Sequence, residues 1–233
     1  MQLEKSIDNG GEEPRRWYDD ACGAALALEF VGERWALLVM RELMLGPRRF
    51  SELRADLPGI SANVLARRLE GLERSGIVRR RKLPPPAGVQ VYELTPWGCE
   101  AEPIFQAMGR WALRSPLHDP MRPLSPVSAM LSLRTMIRRD REPLSMTLAF
   151  RFPGVAFTGR LSPSGLGIER GETGAADVVF DTDPTTFVTL VHGKRPLEPA
   201  LAEGRLRLEG DHGLARRFID CFALPAKLAA DGD

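Results

Sequence analysis

The stretch from Phe50 to Thr95 reads FSELRADLPGISANVLARRLEGLERSGIVRRRKLPPPAGVQVYELT and decides the fold of the first half of this 233-residue chain. A short helical pattern ends at the turn Pro58-Gly59, and Ser61 can cap the helix that follows. The apolar residues of that second helix recur at i, i+4 and i+7: Leu65, Leu69 and Leu72. Two strand patterns joined by a proline-rich tip complete the stretch. This order predicts a winged helix-turn-helix, called the winged unit below.

The face of the second helix opposite the leucines carries side chains suited to the edges of DNA bases. Asn63 and Arg67 lie there one turn apart, and Arg68 lies towards the edge of that face. Asparagine and arginine are the side chains that pair bidentately with adenine and guanine. The predicted DNA contacts are these three residues and seven others: Arg48, Arg49, Ser61, Arg79, Arg80, Arg81 and Lys82. The last four line the first wing strand, where charges are expected to position the protein on phosphates.

The net charge of +1 conceals an uneven distribution. Between Arg48 and Lys82 there are ten Lys and Arg residues and four Asp and Glu residues, a local balance of +6, so the remainder of the chain carries −5. A phosphate-binding surface needs such a basic patch, because neutralising backbone phosphates releases counterions. The alternative is that these arginines belong to an ordinary solvated helix face and strand.

Composition argues against several other classes of protein. The 43% hydrophobic and 27% charged residues are typical of a soluble globular protein, and no apolar run approaches the roughly 20 residues of a membrane span. The polar start MQLEKSIDNGGEEPRR lacks the apolar core of a signal peptide, so we expect a cytoplasmic protein. The cysteines are widely spaced, which argues against a disulfide framework and a metal site. The histidines are isolated from any nucleophile pattern, so we expect neither an enzyme nor a cofactor.

Helical patterns flank the winged unit on both sides. Residues 21–32 and 33–45 predict two helices before it, and Thr95-Pro96 opens a third helix after it. The apolar stripe of this third helix is rich in tryptophan and suits either domain core or a partner helix. We favour a homodimer seam, because twofold DNA readers present two recognition helices about 34 Å apart. The predicted seam residues are Leu26, Ile104, Met108 and Trp111.

The second half of the chain predicts a separate domain. Four prolines between Ser115 and Pro126 indicate a linker. A helical pattern over 127–139 precedes the strand patterns SMTLAFRF, VAFTGRLS, LGIERGE and DVVFDTD, and helices surround a last strand, RLRLEGD. This is an α+β arrangement with a mostly antiparallel sheet. The predicted organisation is a flexible tail (1–17), a winged-helix and dimerisation domain (18–114), a linker (115–126) and the α+β domain (127–233).

Residues from about Tyr18 to Trp111 resemble the HxlR-type transcriptional regulators of bacteria. The match runs through CGAALALEFVGERW, LLVMRELMLGPRRFSELRADLPGIS, VLARRLEGLERSGIVRR and YELTPWG. The resemblance implies a homodimer that binds a palindromic operator in double-stranded DNA, with the outer helices in the dimer interface. The wing departs from the family pattern because no arginine follows its prolines, so its insertion into the minor groove is not implied.

Cys22 lies where many HxlR-type relatives carry a cysteine that responds to electrophiles or oxidants. A reactive thiol needs a lowered pKa, which a helix N-terminus favours and the neighbouring Asp19 and Asp20 oppose. Two interpretations of Cys22 therefore stay open, a redox sensor and a small packed residue near the dimer interface.

Residues 127–233 resemble sterol-carrier-protein-like domains, chiefly in DVVFDTDPTTFVTLVHGKRPLEPALAEGRLRLEGDHGLARRFIDCF. The resemblance implies an apolar tunnel between sheet and helices. The candidate pocket residues are methionines and phenylalanines: Met130, Met136, Phe150, Phe157, Phe180 and Phe187. Methionine adapts to irregular apolar shapes, which suits a pocket and an ordinary core equally well.

These observations favour a dimeric bacterial transcriptional regulator, a repressor, whose C-terminal domain senses an apolar small-molecule effector. Two alternatives remain: a lipid-carrier or protein-interaction module, and a thiol-based sensor that acts through Cys22. A third, an enzyme with the tunnel as an acyl site, lacks a recognisable nucleophile or base.

Overall fold

The computed structural model describes residues 18–228, so the predicted tail over 1–17 lies outside the described residues. The helices are α1 (Gly23–Val31), α2 (Ala36–Leu43), α3 (Phe50–Asp56), α4 (Ala62–Arg74), α5 (Pro96–Cys99), α6 (Glu102–Ala112), α7 (Pro126–Met136), α8 (Pro184–Val191), α9 (Leu197–Ala202) and α10 (His212–Asp220). The strands are β1 (Val78–Lys82), β2 (Gln90–Leu94), β3 (Met146–Phe152), β4 (Val155–Ser162), β5 (Gly165–Arg170), β6 (Val178–Thr182) and β7 (Leu206–Gly210). Within the described residues, no helix has both the length and the apolar character needed to cross a membrane.

The winged unit folds as its sequence predicts. The Oγ of Ser61 accepts a hydrogen bond from the N–H of Val64 at 3.2 Å and caps α4. Gly59 adopts φ +92° in the turn between α3 and α4, a conformation that favours glycine. Strands β1 and β2 pair antiparallel as the wing. The leucines of α4 are buried with apolar side chains of α2 and α3, so the opposite face of α4 stays open to a ligand.

Two helix boundaries differ from the sequence prediction. α2 begins at Ala36 rather than Glu33, because Trp35 adopts the left-handed φ of +80° and interrupts the helix. The single helix predicted after the wing is split into α5 and α6. Pro103 lies in the first turn of α6, and its ring would clash with the carbonyl of Cys99 in a continuous helix. Both interruptions have a local backbone cause that hydrophobic periodicity does not register.

The C-terminal half is built on a five-stranded sheet in the order β5-β4-β3-β6-β7. Three neighbouring pairs are antiparallel and β3 pairs parallel with β6, which confirms the predicted α+β class with a mostly antiparallel sheet. The parallel register places Phe150 beside Phe180, with ring centroids 6.0 Å apart. Helices α7, α8 and α10 bury apolar side chains in the same cluster as these two rings.

The segment between α6 and α7 does not hold the two halves apart. It contains neither helix nor strand between 113 and 125, as expected of its prolines. Helix α6 nevertheless contacts α7, and α2 contacts α7 as well. Leu45, just beyond α2, is buried in the apolar cluster of the C-terminal half, and Met44 packs against that cluster. The two halves therefore share a packed interface.

His192 is half-buried in the C-terminal half, at the end of α8. Its Nε2 lies 2.8 Å from the Oγ of Ser132, and its ring meets Phe222 edge-on at 6.2 Å. Burial, with a smaller contribution from the charge of Lys194, lowers the pKa of His192 to about 4.

This depressed pKa predicts a loss of stability in acid. An unfolded histidine titrates near 6.5, so the unfolded chain binds the extra proton between that pH and about 4, and the stabilisation present above pH 6.5 is lost as the pH falls. By pH 4.5 the loss from this residue should reach about 2 to 3 kcal/mol. The free energy of unfolding, measured with urea, should fall less between neutral pH and pH 4.5 for His192→Gln than for the wild type. An equal fall in the free energy of unfolding for the two proteins would contradict the low pKa of His192.

Candidate nucleic-acid interface

The exposed face of α4 carries the two residues predicted to read bases. Asn63 and Arg67 are both exposed, and Ser61 is exposed at the cap of the same helix. Leu65 and Leu69 are buried on the other side. Ala66 is exposed beside Arg67, and its small side chain would allow the helix to approach DNA closely. One face of a single rigid helix thus presents an amide and a guanidinium in the pattern that base edges require.

Arg68 lies at the edge of this face and is engaged within the protein. Its Nη2 is 3.0 Å from Oε2 of Glu33, which lies between α1 and α2. The pair links α4 to the outer helices. Because the carboxylate of Glu33 offsets the charge of Arg68, Arg68 adds less positive potential to the exposed face of α4 than Arg67 does.

The wing arginines are also paired. Arg79 stands opposite Glu93 in the β1–β2 register and donates from Nε to its Oε1 at 2.8 Å. Arg81, on the same face, donates to the second oxygen of Glu93 at 2.9 Å. Arg80 faces the other way and donates to both oxygens of Glu73 at the end of α4, at 2.7 and 2.8 Å. Two carboxylates therefore offset much of the charge of β1.

Lys82 ends β1 as an exposed cation near the wing tip. Because it is exposed, it can reach a phosphate without first leaving a buried site.

Arg48 occupies a different environment from the other predicted DNA contacts. Its side chain is 12% exposed and pairs with Asp56 at the end of α3, with Glu52 at 3.6 Å. Its backbone bonds in both directions to Tyr92 of β2. Burial raises the pKa of Asp56, while the positive charge of Arg48 opposes that rise. Arg48 thus joins α3 to the wing.

Two exposed arginines extend the basic surface. Arg49 caps α3, where its N–H donates to Glu52 at 2.8 Å, and its side chain stays exposed. Arg54 lies on the exposed side of α3, one helix away from the face of α4. Sequence reasoning missed Arg54 as an individual contact, although it counted towards the +6 balance of the region. Its exposure on an otherwise amphipathic helix was the available signal.

The predicted dimer seam forms an exposed apolar surface on the outer helices. The four side chains are between 44% and 77% exposed: Leu26, Ile104, Met108 and Trp111. Leu28 on α1 and Trp97 on α5 are exposed as well. The ring of Trp97 meets Phe30 of α1 edge-on at 5.5 Å, which brings α1 and α5 together. Clustered exposed apolar side chains of this size mark interaction surfaces more often than isolated ones do.

Five of the six candidate pocket residues are brought together in the C-terminal core. All six are buried, but Met136 lies outside the apolar cluster that contains the other five: Met130, Phe150, Phe157, Phe180 and Phe187. Phe187 meets Phe150 and Phe180 edge-on at 5.3 and 5.5 Å. In this conformation the aromatic rings fill the space between sheet and helices with one another, and an apolar ligand would have to displace them.

Cys22 is exposed and occupies the N-cap of α1. The backbone N–H groups of Ala24 and Ala25, at the start of α1, lower its pKa. Burial raises the pKa of Cys99, and burial likewise raises that of Cys221. No group of three or more metal-binding side chains occurs among residues 18–228.

Comparisons with known proteins match two separate parts of the chain to two different families. Residues 30–117 match the family model described as HxlR-like helix-turn-helix, and residues 139–223 match that of the SCP-2 sterol transfer family. Over 86 residues the chain is 41% identical to the HTH-type transcriptional regulator YodB of Bacillus subtilis, covering 37% of this chain and 77% of that relative. It is 37% identical over 86 residues to the uncharacterized HTH-type transcriptional regulator YvaP of the same species, covering 37% of this chain and 80% of that one. The crystal structure of quinone-bound YodB covers 38% of this chain and 93% of its own, at 37% identity and a TM-score of 0.34.

The environment of Cys22 predicts selective alkylation. Because the backbone N–H groups at the start of α1 favour its thiolate, Cys22 of the reduced protein should react with a maleimide faster than Cys99 or Cys221 at neutral pH. Peptide mass spectrometry at a series of pH values would give a rate profile for each thiol, with Cys22→Ser as the control. A Cys22 midpoint at or above that of Cys99 would rule out an activated thiol.

Proposed function

We propose that this chain, which belongs to the HxlR-like helix-turn-helix family of transcriptional regulators, is a homodimeric repressor whose C-terminal domain senses an apolar small molecule. The observation that carries the DNA-reading part is the division of α4 into a buried leucine face and an exposed face with Asn63 and Arg67. A helix held in this way is suited to the major groove. The wing and Arg54 supply charge for the flanking phosphates.

The exposed apolar surface of α1, α5 and α6 supports a second copy of the chain as partner. Trp111 is 77% exposed, and an indole of this size contributes strongly when an interface buries it. Twofold pairing would give two α4 helices, which matches a palindromic operator. We therefore assign Leu26, Ile104, Met108 and Trp111 to the dimer interface.

The match of residues 139–223 to the SCP-2 sterol transfer family supports an apolar effector. Methionines 130 and 136 lie on α7, the helix that also contacts α2, so a ligand among the pocket residues would act next to the DNA-reading half. An effector that releases DNA must bind the two conformational states unequally. A ratio of about 100 between the effector's affinities for the two states corresponds to a coupling free energy of roughly 2.7 kcal/mol.

A second candidate function is thiol-based sensing through Cys22. The lowered pKa and full exposure of this thiol favour it, and its place on α1 would put a modification beside the proposed dimer interface. The two modes of sensing are compatible, because they use different halves of the chain.

Arg67→Ala tests the assignment of α4. Loss of a bidentate base contact should weaken binding to a duplex that the wild type selects from random DNA by about 1–3 kcal/mol. Arg216→Ala, which removes an exposed arginine from α10, is the matched control and should bind as the wild type does. The measurement is fluorescence anisotropy at moderate salt. Equal affinity of Arg67→Ala and the wild type would contradict DNA reading by α4, whereas a wild type that selects no duplex would favour the lipid-carrier alternative.

Glu93→Gln tests whether the wing is restrained by its own carboxylate. The change removes the charge that holds Arg79 and Arg81, so both become available to phosphates. Non-specific DNA affinity should rise, and the dependence of log K on log salt should steepen by about one or two phosphate contacts. Glu203→Gln, which releases Arg205 in the C-terminal half, should change neither quantity. An unchanged salt slope for Glu93→Gln would show that the wing does not approach the phosphates.

A further inference from the structure

Glu42 of α2 is the only buried charged residue between positions 18 and 228, with an exposed fraction of 0%. Its Oε1 accepts hydrogen bonds from the Nε of Arg41 at 2.8 Å and from the Oγ of Ser125 at 2.8 Å. Burial raises the pKa of Glu42, and the charge of Arg41 and the bond from Ser125 oppose that rise. Burying a carboxylate is costly unless it is paired and hydrogen-bonded, so this position depends on both partners.

Ser125 belongs to the other half of the chain. It is the N-cap of α7, and its Oγ accepts the N–H of Ser128 at 3.0 Å. The Glu42 carboxylate therefore lies at the N-terminus of α7, where the helix dipole favours negative charge. One side chain of the DNA-reading half thus completes the cap of the first helix of the C-terminal half.

Glu42 also lies on a continuous path of packed elements. Its own helix, α2, contributes Val39, Met40 and Leu43 to the cluster that buries the leucines of α4. On the other side, α7 buries Met130 in the cluster that contains Phe187. The same two helices, α2 and α7, contact each other directly. A displacement of α7 would therefore reach α2 through the capped end and the flank of α7, and α4 through α2.

A second polar contact joins the two halves at the same interface. Arg170, the last residue of β5, lies nearby with Cζ 5.0 Å from the ring centroid of Phe157, and burial lowers its pKa, with the charge of Arg48 acting in the same direction. Arg134 of α7 pairs with Glu102 of α6 at 2.8 Å. The Glu42–Ser125 and Arg134–Glu102 contacts lie at separate points and restrict the rotation of one half against the other.

We propose that Glu42 is a positioning residue for DNA binding: it holds the cap of α7 against α2 and thereby lets the C-terminal half set the orientation of α4. The inference rests on the DNA-reading function proposed above. It adds to that function the residue through which the C-terminal half acts, at a place remote from the DNA-reading face.

The test is a double-mutant cycle on DNA affinity in the full chain. Glu42→Ala and Ser125→Ala should each weaken binding to the selected duplex by about tenfold, and the double variant should be no weaker than Glu42→Ala alone, because both changes break one coupling. Glu42→Gln keeps an acceptor oxygen for Ser125 and should recover most of the wild-type affinity. Circular dichroism identifies any variant that fails to fold, and Glu42→Gln then supplies the comparison with Ser125→Ala.

Asp183→Ala is the matched control for lost helix capping. Asp183 caps α8 through the N–H of Thr186 at 2.9 Å, and this cap lies wholly within the C-terminal half. The Asp183→Ala variant should lose about as much thermal stability as Ser125→Ala does, but its DNA affinity should equal that of the wild type. Equal losses of affinity for Asp183→Ala and Ser125→Ala, or additive losses for Glu42→Ala and Ser125→Ala, would overturn the positioning role. A wild type without salt-dependent DNA affinity would overturn the proposed function and this inference together, whereas loss with Arg67→Ala but none with Glu42→Ala would overturn this inference alone.

Discussion

Burial of the leucine stripe of α4 against α2 and α3 is the constraint on which the DNA-reading surface depends. Each fully buried leucine contributes about 1.5–3 kcal/mol, and Leu65, Leu69 and Leu72 all lie on one side of the helix. Rotating α4 to bury another face would expose these three side chains and bury charge. The orientation of Asn63 and Arg67 therefore follows from apolar packing, before any contact with DNA is considered. Because α2 supplies the packing surface, the position of α2 also sets the position of α4.

Ion pairs within the protein offset more of the positive charge of the winged unit than its composition indicates. The +6 balance is real, but Glu93, Glu73 and Glu33 hold four of the arginines in ion pairs at the surface. Such pairs contribute about 0–1 kcal/mol each, so a DNA phosphate can replace the carboxylate at little cost. In the proposed complex with DNA, the wing would bind phosphates only where these pairs open. The same pairs would lower the affinity for any polyanion and leave the discrimination to α4.

The two halves of the chain meet through groups of opposite physical character. Leu45 and Met44 provide non-directional apolar contact with the C-terminal cluster, while Glu42 and Arg134 supply hydrogen bonds and charge with a fixed geometry. Apolar contact alone would tolerate sliding of α2 on α7. A buried carboxylate does not, because any shift that separates Glu42 from Ser125 removes one of its two hydrogen-bond donors and leaves only Arg41. This combination suits an interface that must hold one orientation while an apolar core beside it changes its packing.

The sequence by itself determined the order of the elements, the winged unit, the buried stripe of α4 and the α+β class of the second half, because these depend on periodicity, caps and turn residues that act over a few positions. It also indicated Asn63 and Arg67, since a helix face is a local property. It did not reveal the left-handed Trp35, the split between α5 and α6, or the partners of the wing arginines. Only the tertiary structure decided that Arg48 lies beside Asp56 and that Glu42 meets Ser125, 83 residues further along the chain. The pairing of such groups depends on which faces of distant helices are packed together, and no local spacing in the sequence encodes that.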